Sequence, residues 1–364
     1  MLTNEELARY QRHLALHGFG QAAQERLKAG KVLVVGAGGL GCPALLYLAA
    51  AGVGRSVLVD SDRVEASNLQ RQVLYTEEDI GQAKAEVAAK RLHALSSLVD
   101  VVPVADRLRR ENALDLIRAS DVVIDGSDNF ATRYLVNDAC VMADRPFVYG
   151  AIQGFDGQLS VFNWRGGPTY RCLFPSPPPA EQAPNCAQAG VLGVLPGVVG
   201  TWQAGEAIKI LAGEGEPLSG KLLLWNALTM NVQSVSLAAD PKSRPICELP
   251  ADEDHTPCSS TSLEIEAAEL RSLMGMGDVQ LLDVREDWER AADAIVPSRH
   301  VPLWQFDQPL IEDLLKGLRA DLPLIVYCAA GVRSLRAVTI MREQFGLRAA
   351  RSLRGGMHAW RALG

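Results

Sequence analysis

The hexapeptide GAGGLG, Gly36 to Gly41, follows the apolar run KVLVV (Lys31–Val35) and precedes an alanine-rich apolar stretch. The G-x-G-x-x-G spacing of Gly36, Gly38 and Gly41, with Gly39 between them, lets backbone N–H groups and the first turn of a helix approach a phosphate without side chains in the way. A second apolar run, SVLVD, ends at Asp60, nineteen residues past Gly41. A carboxylate there reaches ribose hydroxyls in either a dinucleotide or an ATP site. The stretches DSDRVEASNLQRQ (Asp60–Gln72) and GQAKAE (Gly81–Glu86) separate the two options. Arg71 and Lys84 supply cations where a pyrophosphate leaving group needs them, and hydride transfer makes no such demand.

A second chemical centre lies near the other end. Cys328 closes the apolar run LPLIVYC, and CAAGVRS (Cys328–Ser334) then opens a helix. Backbone N–H groups and Arg333 are expected to converge on this sulfur and lower its pKa. Cys42 and Cys140 sit in apolar helical contexts and read as packing. Cys258 has no assignable role.

The elements that must position these residues read as two α/β patterns. In the first, strands at Lys31–Val35, Ser56–Asp60, Val101–Val104 and Asp121–Asp128 alternate with helices at Pro43–Ala51, Ala83–Leu95 and Asn112–Ala119. Such alternation predicts a Rossmann-like, doubly wound parallel sheet with ligands at the carboxyl ends of its strands. From Gln158 the pattern shifts to paired strands, QLSVFNW and KLLLWNA, around a loop with five prolines (Phe174–Asn185) and an apolar helix. This adds an antiparallel portion. The stretch 241–262, rich in Pro, Ser and Asp, is the expected linker between a domain of residues 1–240 and a smaller α/β domain of residues 263–364. In the latter, strands are expected at Val279–Val284 and Leu322–Cys328, with helices at Ala267–Met274, 311–319 and Ser334–Gln344.

Five motifs in order carry a resemblance: RYQRHL (Arg9–Leu14), GAGGLGCPA, VDSDRVEASNLQRQ, GQAK and DGSDNFATR (Asp125–Arg133). Together they resemble the MoeB/ThiF family of ubiquitin-activating-like adenylyltransferases over about Met1 to Asp240. The resemblance implies ATP- and magnesium-dependent adenylation of the C-terminal Gly-Gly carboxylate of a small ubiquitin-fold sulfur carrier. It implies that Gly36, Gly38 and Gly41 line the phosphates, that Asp60 and Asn68 hold ribose or phosphate, and that Arg71 and Lys84 bind the polyphosphate. Asp128 would hold the magnesium, with a helix N-cap as its alternative role. Arg12 would reach into the other subunit's site, which implies a homodimer. Cys186 stands where related enzymes have a cysteine able to link covalently to the activated carrier. The chemistry agrees, because carboxylate attack on an α-phosphate needs charge neutralisation and positioning more than a proton-transferring base.

The Cys328 loop, with LLDVRE (Leu281–Glu286), HVPL (His300–Leu303) and GGMHAW (Gly355–Trp360), resembles the rhodanese sulfurtransferases. Four residues separate Cys328 from Arg333, one fewer than in cysteine phosphatases, so the cradle is expected to suit a persulfide sulfur better than a phosphate. The implied whole is an adenylyltransferase that makes the acyl-adenylate, fused to a sulfurtransferase whose Cys328 persulfide, charged by a persulfide or thiosulfate donor, yields the carrier thiocarboxylate. Molybdopterin (molybdenum cofactor), thiamine, tRNA thiolation and thio-metabolite synthesis all use this chemistry. The rivals are an NAD-dependent oxidoreductase fused to a sulfurtransferase and a non-catalytic carrier-binding scaffold. Intact Arg71, Lys84, Asp128 and Cys328 speak against the scaffold. Most relatives hold a structural zinc with two CxxC pairs; here these read TYRC and RPIC, so Thr169 and Arg244 replace two ligands and leave Cys172 and Cys247 as remnants. No zinc is expected, the one rebuilt arrangement being His255 and Cys258 joining the remnants.

Composition limits the rest. Net charge is -7, with 23 basic against 29 acidic residues before Ser262 and 13 against 14 from it onward. Neither part suits nucleic acid, which needs clustered Lys and Arg. Seven scattered cysteines and no signal-like start point to a reducing cytoplasm. The uncharged run Val32–Gly54 contains six glycines and Pro43, so it is expected to be a buried strand, turn and helix rather than a membrane span.

Overall fold

The computed structural model describes residues 1–177, 190–244, 246–250, 263–276, 279–307, 318, 322–345, 347 and 350–363. The chain divides into two compact units, Met1–Asp254 and His255–Gly364. The expected helix 311–319 lies outside the described residues, except for position 318.

In the first unit, eight strands form one sheet: β1 (Lys31–Val35), β2 (Arg55–Val59), β3 (Asp100–Val104), β4 (Val122–Asp125), β5 (Phe147–Gln153), β6 (Asp156–Phe162), β7 (Lys221–Asn226) and β8 (Asn231–Ser236). Their order is β3-β2-β1-β4-β5-β6-β7-β8. Pairing is parallel from β3 to β5 and antiparallel from β5 to β8. The order reverses between β1 and β4, which opens a crevice at their carboxyl ends. Register makes those ends level, because Val35 pairs with both Val59 and Asp125. Gly36, Asp60 and Gly126 therefore leave the sheet side by side.

Both faces of β1 are covered, which is why it reads as an unbroken apolar run. Val32 and Val34 join one core with Leu45, Leu48 and Leu92, while Leu33 and Val35 join another with Tyr134, Leu135 and Ala139. The uncharged run is a strand, a turn and the helix Gly41–Ala51. Among the described residues no helix is long and apolar enough to cross a membrane. Past Asp240 the chain still packs on this unit: Leu249 is buried in the second core, and Arg110 meets Glu248 at 3.2 Å.

The second unit carries a five-stranded parallel sheet, β9 (Glu264–Ile265), β10 (Gln280–Asp283), β11 (Arg299–His300), β12 (Leu324–Tyr327) and β13 (Ala350–Leu353), in the order β11-β10-β12-β13-β9. The two longest apolar strands were legible in sequence. β9 and β11 have two residues each, too few for any periodicity, and β13 (ARSL) carries Arg351. Helices Ala267–Met276, Asp287–Ala292, Val332–Gln344 and Gly356–Arg361 surround the sheet.

Candidate active site

The turn after β1 is built by close backbone approach. Gly36 has φ +92°, and a Cβ there would lie 2.9 Å from the Gly126 carbonyl oxygen; a Cβ at Gly41 would collide with the Gly36 carbonyl. These two glycines let the turn fold back on the β4 loop. Gly38 differs, since a Cβ would meet only Gln72 Nε2, at 3.8 Å, and a Cβ on Gly39 would lie 3.5 Å from Arg71 Cγ. The ASNLQRQ segment therefore lies over the glycine turn.

Asp60 fastens the turn. Its Oδ2 accepts the Ala37 N–H at 2.7 Å and its Oδ1 the Asp62 N–H at 2.8 Å, while burial pushes the carboxyl pKa up. Asn68 is buried, accepts the Glu65 N–H and donates to Ser67 Oγ. Half-buried Arg71 donates to the Ser67 carbonyl at 3.0 Å. Lys84 opens the helix Lys84–Leu95, is 5% exposed, and meets Asp62 at 3.0 Å. Gln72, not singled out from sequence, is 3% exposed, and its Oε1 has no hydrogen-bond partner among the described residues. An orphaned buried amide oxygen beside the glycine turn fits an absent donor such as a nucleotide hydroxyl or amine. Its sequence signal was adjacency to Arg71.

At the end of β4, Asp125 and Arg133 form a buried pair, described in the Discussion. Asp128 is exposed. Asn129, not Asp128, caps the helix Phe130–Ala143 by accepting the Thr132 N–H at 2.8 Å. Arg12 is exposed on the helix Gln11–Leu14. Its neighbour His13 bonds Gln24, which donates to the Ala51 carbonyl, and Tyr10 packs at Gly52. This segment thus lies at the end of the helix Gly41–Ala51 remote from the glycine turn, about 15 Å along its axis. Within one chain the fold does not bring Arg12 to the other residues.

Cys42 and Cys140 are buried, and burial pushes the Cys42 thiol up to about 12. Cys172 is different. Burial raises its pKa, yet hydrogen bonds with Ser243 Oγ (3.1 Å), Thr169 Oγ1 (3.4 Å) and the N–H groups of Asp240 and Thr169 (3.2 Å each) outweigh this and hold it below the ordinary value. Arg244 donates to Asn163 Oδ1 and, at 3.1 Å, to the Gly167 carbonyl. Cys247 is exposed. Among the described residues no group of three or more His, Cys, Asp or Glu converges as a metal site. Cys186, His255 and Cys258 lie outside the described residues.

In the second unit Cys328 is 1% exposed at the end of β12. Its Sγ accepts the Gly331 N–H at 3.2 Å and the Ser334 hydroxyl at 3.5 Å. The helix Gly356–Arg361 clasps the loop, the Met357 and His358 N–H groups donating to the Cys328 and Ala329 carbonyls. Arg333 departs from expectation. Its guanidinium makes no hydrogen bond to the sulfur and instead grips Glu289 through two hydrogen bonds of 2.6 and 2.7 Å, the fork matching a half-buried carboxylate, while its charge still acts on Cys328. The LLDVRE and HVPL motifs are scaffold: buried Arg285 pairs with buried Asp283 at 2.7 Å, and His300 Nε2 meets the Arg285 carbonyl.

A doubly wound sheet with a polar-lined glycine turn, followed by a sheet that ends in a cysteine cradle, defines a nucleotide-binding enzyme joined to a sulfurtransferase-like unit. The chain belongs to the ThiF family, matched over residues 10–249, and a rhodanese-like domain is matched over residues 266–363. It is 55% identical to the sulfur carrier protein adenylyltransferase of Thermus thermophilus over 250 residues, which cover 67% of this chain and 92% of that one. Over 99% of its length it is 42% identical to a probable adenylyltransferase/sulfurtransferase MoeZ of Mycobacterium tuberculosis, 94% of which is covered. A third relative, adenylyltransferase and sulfurtransferase MOCS3-1 of Zea mays, is 39% identical over 99% of this chain and 82% of its own. The crystal structure of Escherichia coli MccB superposes with a TM-score of 0.58 at 24% identity, covering 70% of this chain and 75% of that one, a likeness of fold.

Proposed function

We propose that the first unit adenylates the C-terminal Gly-Gly carboxylate of a ubiquitin-fold sulfur carrier and that Cys328 then supplies sulfur to it. The observation that carries this reading is the approach of the Arg71 stem to Gly39, a Cβ there lying 3.5 Å from Arg71 Cγ, which brings a cation-bearing segment against the glycine turn. Full-length similarity to adenylyltransferase-sulfurtransferases supports the pairing of activities and gives no support to the oxidoreductase or scaffold readings.

In this reading Gly38, Asp60, Asn68 and Gln72 receive the nucleoside and phosphates of ATP. Arg71 and Lys84 balance the charge that grows on pyrophosphate as the carrier carboxylate attacks the α-phosphate. Asp128, exposed beside this edge, suits a magnesium ion held by one carboxylate and mainly by phosphates. That ion supplies charge neutralisation. Arg12, remote from its own glycine turn, is proposed to act in a partner subunit of a homodimer. The terminal sulfur of a Cys328 persulfide then attacks the acyl-adenylate carbonyl and AMP leaves; a second thiolate attacks Cys328 Sγ of the acyl disulfide, forms a disulfide with it, and the thiocarboxylate leaves with the electron pair. Cys186 is proposed as a covalent acceptor. The zinc of relatives does not fit here: Arg244 puts a cation where a ligand would stand, and Cys172 Sγ is already hydrogen-bonded with two backbone N–H groups and two hydroxyls. The described cysteines are free thiols, in keeping with a cytoplasmic setting.

The test incubates the protein with ATP, a sulfane donor and purified carriers ending in Gly-Gly. The expected result is carrier-dependent ATP–pyrophosphate exchange and a carrier mass gain equal to replacing oxygen by sulfur. Exchange without a carrier, or no exchange with any, would overturn the reading.

A further inference from the structure

The Cys328 cradle has a cation, and that cation is already engaged. Arg333 opens the helix Val332–Gln344 one turn past the sulfur, and both of its terminal nitrogens lie on Glu289. The side chains are 20% and 11% exposed, so water screens the pair little. Glu289 is fixed in turn, since its Oε2 also accepts the Glu286 N–H at 3.0 Å as a helix capping box. The acid is held below its ordinary pKa, because the Arg333 bonds outweigh the burial that would raise it, so it stays ionised near neutrality. Two neighbouring cations are engaged as well: Arg285 and Arg290 both lie on Asp283, at 2.7 and 3.6 Å. The hydrogen bonds to Cys328 come from neutral donors, the Gly331 N–H and the Ser334 hydroxyl, while Arg333, held by Glu289, acts on the sulfur through charge without a hydrogen bond.

We infer that Glu289 is a positioning residue that selects the sulfur donor: by occupying Arg333 it makes the cradle favour a hydropersulfide over dianionic thiosulfate. The inference rests on the reading of Cys328 as the sulfur acceptor. Charge counting gives the reason. When the Cys328 thiolate attacks the outer sulfur of a hydropersulfide, R–S–SH, the Cys–S bond forms, the donor S–S bond breaks, and R–S⁻ leaves with the electron pair. The proton stays on the transferred sulfur. One negative charge is present throughout. The same attack on thiosulfate expels sulfite and gathers three negative charges around a guanidinium already neutralised by Glu289. A dianion gains its attraction only by drawing Arg333 away, which strands a half-buried carboxylate.

The experiment measures kcat/KM for sulfur transfer to cyanide from thiosulfate, glutathione hydropersulfide and persulfidated serum albumin, using the full chain and Glu289→Gln. Glutamine keeps the acceptor for the Glu286 N–H, so the helix start is retained, and removes the charge. The ratio of thiosulfate to hydropersulfide kcat/KM is expected to rise about tenfold, mainly through a lower KM for thiosulfate. The faster of the two persulfide arms identifies a low-mass or a protein-borne source. An unchanged ratio, or an equal fall with all donors, overturns the inference. A second measurement needs no variant: in the native protein added salt should raise kcat/KM for thiosulfate, since like charges are being screened. A fall with salt, the mark of an open cation, also overturns it. Cys328→Ala distinguishes the underlying reading, which fails if transfer survives that change.

Discussion

The carboxylate of Asp125, the last residue of β4, accepts from Arg133 Nε at 3.1 Å while the same guanidinium donates to the Ser127 carbonyl at 3.1 Å. Asp125 is 0% and Arg133 7% exposed, and Asp125 Oδ1 also takes the Ser127 hydroxyl and N–H. The loop that presents Asp128 is therefore braced by a buried pair one turn into the following helix. Asp125→Ala leaves a buried guanidinium uncompensated and should cost about 3–5 kcal/mol, read as a lower denaturation midpoint of the first unit. An effect below about 1 kcal/mol would show that the pair does not brace the loop.

Arg71 and Asp128 act on the same triphosphate in the proposed reaction. Arg71→Ala and Asp128→Ala should each lower carrier-dependent ATP–pyrophosphate exchange by about two to three orders of magnitude with little change in stability, since both side chains reach solvent. Exchange surviving both changes would remove them from the site.

Gly36 combines φ +92° with a neighbour 2.9 Å from any Cβ. Gly36→Ala should therefore destabilise the first unit by about 1–3 kcal/mol and abolish ATP binding, measured by calorimetry. Gly38→Ala, with only an ordinary contact at 3.8 Å, should fold normally. If it weakens ATP, the glycine serves the ligand and not the turn.

The two half-reactions should separate. Cys328→Ala is expected to abolish sulfur transfer to cyanide while carrier-dependent exchange continues, because the reacting groups lie in different units. Loss of both would show that adenylation needs the sulfur centre.

The Glu289 carboxyl supplies a pH signature. Its folded pKa lies below the ordinary value of about 4.3, so the ion pair stabilises the fold fully above that value, and the contribution is lost as pH falls through the depressed one. An acid titration followed by circular dichroism should show a flatter decline for Glu289→Gln than for the native chain.

Protein-bound metal gives a further check. Chelator treatment should leave the melting temperature unchanged and metal analysis should find no zinc, whereas Arg244→Ala should lower stability by removing bonds to Asn163 and the Gly167 carbonyl. One tightly held zinc per chain would overturn this.

By itself the sequence determined the strands buried on both faces, the glycine turn and the cysteine loop, because each is a local pattern: an unbroken apolar run, a backbone that must approach a phosphate, a sulfur at a strand end. It also carried the family through motifs that stand in order along the chain. The tertiary structure decided what depends on partners distant in sequence. Gln72 became visible as a candidate site residue only when folding buried its amide oxygen, without a partner among the described residues, beside Gly38. Strands β9 and β11 exist because neighbours complete them, two residues being too few to declare a period. Arg333 looked like a cation for the sulfur, but Glu289, forty-four positions away, takes it in the fold. A carboxylate brought close by packing takes both ends of the guanidinium fork, and the pair is held where water screens it little.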